Sequence, residues 1–143
     1  MIEWYWILMM MIAIHIFVDF HLQGILADMK QQSWWTRQFK MMADEARDRG
    51  EQVAEDFRKY DRDYIVALWL HAFEWSFIVC IPLMLFVGMN WVGAVLVLVN
   101  TVFHAAIDDL KCNQMDINLI VDQVGHLAQL VFTVALWMVY TGV

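Results

Sequence analysis

The sequence predicts an all-α polytopic membrane protein: four transmembrane helices in an antiparallel bundle, with a charged cytoplasmic helical connection between the first and the second. Three observations carry that prediction. The chain has 143 residues, of which 62% are hydrophobic, and a mean hydropathy of +0.52, whereas soluble domains are about 45 to 50% apolar. Four stretches are each long enough to cross a hydrocarbon layer of about 30 Å, which takes about 20 residues of helix. Trp and Tyr gather near the ends of these stretches, at Trp4, Tyr5, Trp6, Trp34, Trp35, Trp91, Trp137 and Tyr140, as interfacial belts do. A soluble bundle with very apolar core helices is the alternative, and the span lengths argue against it.

The first span, 4–27, begins behind Glu3 instead of a basic segment, and its apolar run exceeds that of a secretory leader, so it reads as a retained helix. Within it HIFVDFHLQ, residues 15 to 23, places His15, Asp19 and Gln23 at four-residue steps. On an α-helix these fall within about 80° of one another and form one polar stripe. An aspartate at the centre of a membrane helix costs about 2.5 to 3.5 kcal/mol, so it is expected to face protein or trapped water. His21 points away from the stripe and stays outside it.

The connection, 28–63, is polar and charged, yet Phe39, Met42, Ala46, Val53, Phe57, Tyr60 and Tyr64 recur at helical spacing. Gly50 falls in a gap of that stripe and is expected to divide it into two helices. The plain expectation is a hairpin packing on itself. The sharper one is that 37–63 is an amphipathic surface for the membrane, a second copy of the chain or a partner protein.

Span two, 64–88, carries His71 and Glu74, and the single proline, Pro82, predicts a kink. Span three, 91–110, repeats the stripe of span one with Asn100, His104 and Asp108, while Asp109 lies off that face. Span four, 117–140, has Asp122 and His126, followed along the same face by Gln129 and Thr133. The whole, 1–143, reads as a single domain. Cys80 and Cys112 suggest neither a disulfide framework nor a metal motif, and the triple Met9 to Met11 reads as packing rather than a copper site.

The net charge of −7 conceals an asymmetry. All nine Lys and Arg lie between spans one and two or at Lys111 between spans three and four. The positive-inside rule puts those connections in the cytoplasm, and both termini across the inner membrane on the other side. The basic residues are matched by acids, so no nucleic-acid partner is expected. The lipid bilayer is.

Measured from the cytoplasmic ends at 1.5 Å per residue, Asp19 lies about 12 Å deep, His71 about 10 Å, His104 about 9 Å, Asp122 about 8 Å and His126 about 14 Å. On the same scale His15 lies about 18 Å deep and Asp108 about 3 Å. These depths imply one polar chamber in the cytoplasmic half. Imidazole with carboxylate suits zinc, manganese or iron, so His15, Asp19, His71, His104, Asp108, Asp122 and His126 are the candidate ligands of a divalent metal. Their number allows two metals, or one with further residues orienting its ligands. Glu74 and Asp122 are the candidate catalytic groups.

Those pieces (HIFVDFHLQ with Asp28 and Lys30, then His71, then HAAIDDLK at 104–111, then DQVGH at 122–126) resemble the DUF3307 family. The resemblance runs through all four spans, and the connection from Gln23 to His71 is longer than the family's usual gap. It implies a small multi-pass membrane protein of bacteria or phages and supplies no activity. The residues themselves predict a metal-dependent hydrolase at the cytoplasmic leaflet. Two alternatives stay open: a structural or regulatory membrane protein, of phage origin in one version, and a metal-ion or proton transport component.

Overall fold

A computed structural model describes residues 4–22, 24–51, 60, 62–88 and 90–142. Glu3, Gln23, Val53 and Phe57, each given a part in the sequence reading, lie outside the described residues. The described residues contain helices and no strand: α1 (Trp4–Phe17), a π-helical turn (Val18–Leu22), α2 (Gly24–Met29), α3 (Gln32–Asp48), α4 (Asp63–Val79), α5 (Ile81–Val87), α6 (Trp91–Cys112) and α7 (Leu119–Thr141). Four helical segments are long and apolar enough to cross a membrane: Trp4–Leu22, Asp63–Phe86, Trp91–Cys112 and Leu119–Thr141.

Local chemistry sets the boundaries. Asn90 and Asn118 cap α6 and α7, their side-chain oxygens accepting from the backbone N–H of Gly93 at 3.1 Å and of Val121 at 3.0 Å, which satisfies donors that a helix start leaves unpaired. Span two breaks at Cys80, so that Pro82 sits in the first turn of α5, where its missing N–H costs no helical bond. The first span departs from expectation. Its α-helix gives way at Val18 to five residues of π-helix, and the chain leaves that turn through Gly24 at φ +50°. His15 and Asp19 nevertheless share a face across the start of that turn, Nδ1 to Oδ2 at 3.7 Å; Gln23, the third residue of the expected stripe, lies outside the described residues.

In the connection, α3 ends at Asp48, before Gly50 at φ +72°. Its inward residue is Ala43, while Met42 is 59% exposed. Phe39 and Ala46 of the expected stripe are half-buried, and between them Ala43 takes the inward place expected of Met42. Phe39 lies 4.9 Å, ring centre to ring centre, from Tyr60.

The four long helices form a closed ring of neighbours: α1 packs on α4 and α7, α6 on α4 and α7, with α2 and α3 laid against α4. A Cβ placed on Gly93, near the start of α6, would lie 3.4 Å from the ring of Trp137 near the end of α7. At the other end, a Cβ on Gly125 would lie 3.1 Å from Ile107. These two helices therefore run in opposite directions. Between them and the other spans lies an apolar core containing Ile7, Met11, Val79, Leu83, Leu130 and Trp137. The outward faces are apolar too: Val66, Phe73, Val102, Phe103, Val131 and Phe132 are all exposed. A protein surrounded by water rarely leaves so much apolar surface uncovered.

Candidate metal centre

Where α4, α6 and α7 meet, three imidazoles surround one carboxylate. His71 Nε2 and His104 Nε2 lie 3.4 Å apart, and each lies 3.4 Å from Asp108 Oδ2. His126 Nε2 approaches the other oxygen, Asp108 Oδ1, at 3.6 Å. The three donors at 3.4 Å form an equilateral triangle. Ligand atoms about 2.0 to 2.1 Å from a zinc ion at tetrahedral angles lie about 3.4 Å apart, so the triangle has the size of one face of such a site. Two overlapping sets of donors could hold an ion, Asp19 with His71 and His104, and His104 with Asp108 and His126.

Asp108 is central here although its depth along the helix is small. A helical side chain leans toward its own N-terminus. On α6 that direction leads Asp108 deeper; on α7, which runs the other way, it brings His126 shallower. With α6 running to Cys112 and α7 starting at Leu119, backbone rise leaves an offset of only about 4.5 Å between them, and the opposed leans close it.

Trp75, one turn after His71, forms the wall of the cluster. Its ring stacks on His104 at 4.1 Å between centres, and His104 stacks in turn on His126 at 4.3 Å. The indole N–H donates to His15 Nδ1 at 3.2 Å. That bond fixes His15 with Nδ1 as acceptor. Asp19 Oδ2 accepts from the Gln123 amide at 3.1 Å and lies 3.7 Å from His15 Nδ1.

Two lysines complete the arrangement. Lys30 Nζ, buried, donates to Asp108 Oδ2 at 2.6 Å; Lys111 Nζ donates to Asp122 Oδ2 at 2.7 Å. The other oxygen of Asp122 lies 3.5 Å from His126 Nε2, so His126 sits between both aspartates. Asn113 donates to the Lys30 backbone oxygen at 3.2 Å and accepts from the Gln32 N–H at 2.9 Å, tying the end of α2 to the end of α6.

Among the described residues, His15 Nε2, Asp19 Oδ1, His104 Nδ1, Asp122 Oδ1 and His126 Nδ1 are buried without a hydrogen-bond partner. Such a group costs about 1 to 3 kcal/mol. Ser76 Oγ, Gln129 Oε1 and Trp137 Nε1, outside the cluster, are buried without a partner as well.

The seven residues read as metal ligands are thus brought to one region. Glu74 is not: it is exposed, on a different face of α4 from His71, and it takes no part in the cluster. His21 is exposed and stacks on Phe17, and Asp109 accepts from the Asn113 and Gln114 amides, so both stay outside, as their helical angles require. Asn100, Gln129 and Thr133 bond to one another one turn farther along α6 and α7. They brace the two helices. Sequence reasoning gave no part in the site to Trp75, Lys111 or Gln123, and quoted Lys30 without a role. For Trp75 the signal was its four-residue step from His71; for Lys30 no periodic signal exists.

A family described as "Protein of unknown function (DUF3307)" matches residues 51–142. Those residues hold α4 to α7, hence His71, His104, Asp108, Asp122 and His126, while HIFVDFHLQ and Lys30 precede them. No curated protein and no solved structure matches the chain.

Proposed function

The chain belongs to the DUF3307 family, of unknown function, and from the geometry of its cluster we propose an integral membrane protein that binds a divalent metal ion, zinc, manganese or iron. The observation that carries this is the triangle of His71 Nε2, His104 Nε2 and Asp108 Oδ2 with 3.4 Å edges. His126 and Asp19 are the next donors within reach. His15 and Asp122 complete the polar shell. In this reading the four spans form an antiparallel bundle in the inner membrane, with both termini on the non-cytoplasmic side. The exposed apolar faces and the grouping of Lys and Arg on two connections support it.

Within this reading the activity is metal-dependent hydrolysis at the cytoplasmic leaflet. A divalent ion would supply Lewis-acid and water-activating chemistry there. The chain contributes the rest: Trp75 holds the imidazoles in their stack, and Asp122 offers a buried, unpartnered Oδ1 beside His126 as a proton acceptor. The exposed Glu74 has no part.

The test is the metal content of protein purified in mild detergent without chelator, beside a His104→Ala, Asp108→Ala double variant. About one or two equivalents in the wild type, lost in the variant, is the expected result. No metal in either, after reloading with zinc, manganese and iron, overturns the proposal. One observation favours a second reading, that the cluster only locks the bundle: Lys30 Nζ stands 2.6 Å from the same Asp108 oxygen that forms the triangle. An ammonium there can neutralise the carboxylate without a metal.

A further inference from the structure

We propose that the cluster, when it holds its metal, binds a phosphate group of the monoester class, with Lys30 and Lys111 as its ammonium donors; this rests on the metal reading of the same cluster. The first support is charge. Asp19, Asp108 and Asp122 bring three carboxylates to the cluster, and Lys30 and Lys111 bring two ammonium groups. With the imidazoles uncharged, one net negative charge remains. A divalent ion alone reverses that sign, and buried net charge is costly. An anion entering with the cation removes that positive excess: a singly charged phosphate brings the sum to zero, and a doubly charged one restores the single negative charge that the cluster already holds.

Donor geometry points the same way. Each ammonium has three N–H bonds and, among the described residues, one carboxylate partner: Asp108 for Lys30 and Asp122 for Lys111. Two N–H bonds of each remain for an incoming anion. The two ion pairs converge on His126, whose Nε2 lies 3.6 Å from Asp108 and 3.5 Å from Asp122. The lysines are therefore two arms of one site rather than separate surface pairs. Two ammoniums and a metal make three positive centres. A carboxylate ligand has two oxygens to share among them, whereas a phosphate monoester has three.

Access is from the end of the bundle where α6 passes to α7. The Lys111 side chain is 31% exposed while the Asp122 side chain it holds is fully buried, so the lysine stem leads from the surface to the cluster. The terminal phosphate bound at this position can belong to a monoester lipid such as phosphatidate, or be free inorganic phosphate, which presents the same oxygens.

The experiment is equilibrium dialysis of labelled inorganic phosphate against detergent-solubilised full-length protein, with metal measured in the same samples. Wild type is compared with chelator-treated protein and with Lys30→Gln and Lys111→Gln. The expected result is about one phosphate per metal-loaded chain, lost on chelation, and at least tenfold weaker in both variants, with metal content unchanged in Lys111→Gln, whose partner Asp122 is outside the triangle. Lys111 is partly exposed, so Lys111→Gln remains informative if Lys30→Gln does not fold. Metal present without phosphate binding, or wild-type affinity in Lys111→Gln, overturns this proposal alone. Absence of metal from the wild type overturns the metal reading and this proposal with it. Short-chain phosphatidate that displaces the label better than inorganic phosphate assigns the lipid source; equal displacement assigns free phosphate.

Discussion

Lys30 donates to Asp108 at 2.6 Å, and both side chains are almost wholly buried, at 5% and 4% exposure. The pair joins the end of the first span to the third, across most of the chain. Removing one member of a buried ion pair leaves the other uncompensated, which costs about 3 to 5 kcal/mol. Lys30→Met is therefore expected to lower the stability of the metal-free protein by that amount in a detergent unfolding titration. Lys30→Met combined with Asp108→Leu should recover most of the loss. Equal stability of Lys30→Met and wild type would mean that the pair holds nothing together.

Metal affinity should track the triangle. Single alanine substitutions at His71, His104 or Asp108 are each expected to weaken binding at least a hundredfold, because each removes one of three mutually adjacent donors. His126→Ala, which removes a donor outside the triangle, should cost less, about tenfold, the lower end of what orienting groups contribute. Competition with a chromogenic chelator measures the series. An inverted order would place the ion in the other part of the cluster.

Asp122→Asn keeps the Lys111 and Gln123 neighbours but gives up the basic oxygen facing His126. With p-nitrophenyl phosphate as substrate, metal-loaded wild type is expected to release nitrophenol, and Asp122→Asn to be about a hundredfold slower with its metal retained, in the range of a lost proton-transfer group. Glu74→Gln should match wild type within about twofold in rate, since its carboxylate lies on another face of α4. A slow Glu74→Gln variant would return that residue to the site.

Gly125 lies where α7 meets Ile107 of α6, next to His126. Alanine there meets only the flexible end of Ile107, at 3.1 Å, and gains about 1 kcal/mol of helix propensity over glycine. Gly125→Ala should be close to neutral. Gly125→Leu must push the two helices apart, and a loss of metal binding of at least tenfold is expected. Unchanged affinity in Gly125→Leu would show that the α6–α7 spacing does not set the cluster.

Much of this architecture was legible because its causes are local. Apolar runs of span length gave the four long helices to within a few residues at most ends, and Pro82 marked the break between α4 and α5. The His and Asp residues could be collected because four-residue steps put each pair on one face. What escaped depends on long-range packing. Lys30 adds one positive charge to a connection, and nothing in its neighbourhood announces that it will be buried against Asp108, far along the chain. Glu74 was grouped with His71 because three residues bring two side chains near each other along a helix; the angle of about 60° between them was enough to leave Glu74 outside. The π-helical turn at Val18–Leu22 has no composition cue, although His15 and Asp19 still meet across its start. On α3, a shift of one position moved the inward role from Met42 to Ala43.

The stack of Trp75 on His104 has an optical consequence. An indole 4.1 Å from an imidazole reports on that imidazole's electronic state through its emission, so whatever His104 gains or loses alters the fluorescence of Trp75. The chain has eight tryptophans, and the difference spectrum between wild type and Trp75→Phe isolates this one. The protein thus carries an intrinsic, label-free gauge of what occupies its centre, readable in detergent or in a vesicle, and in real time.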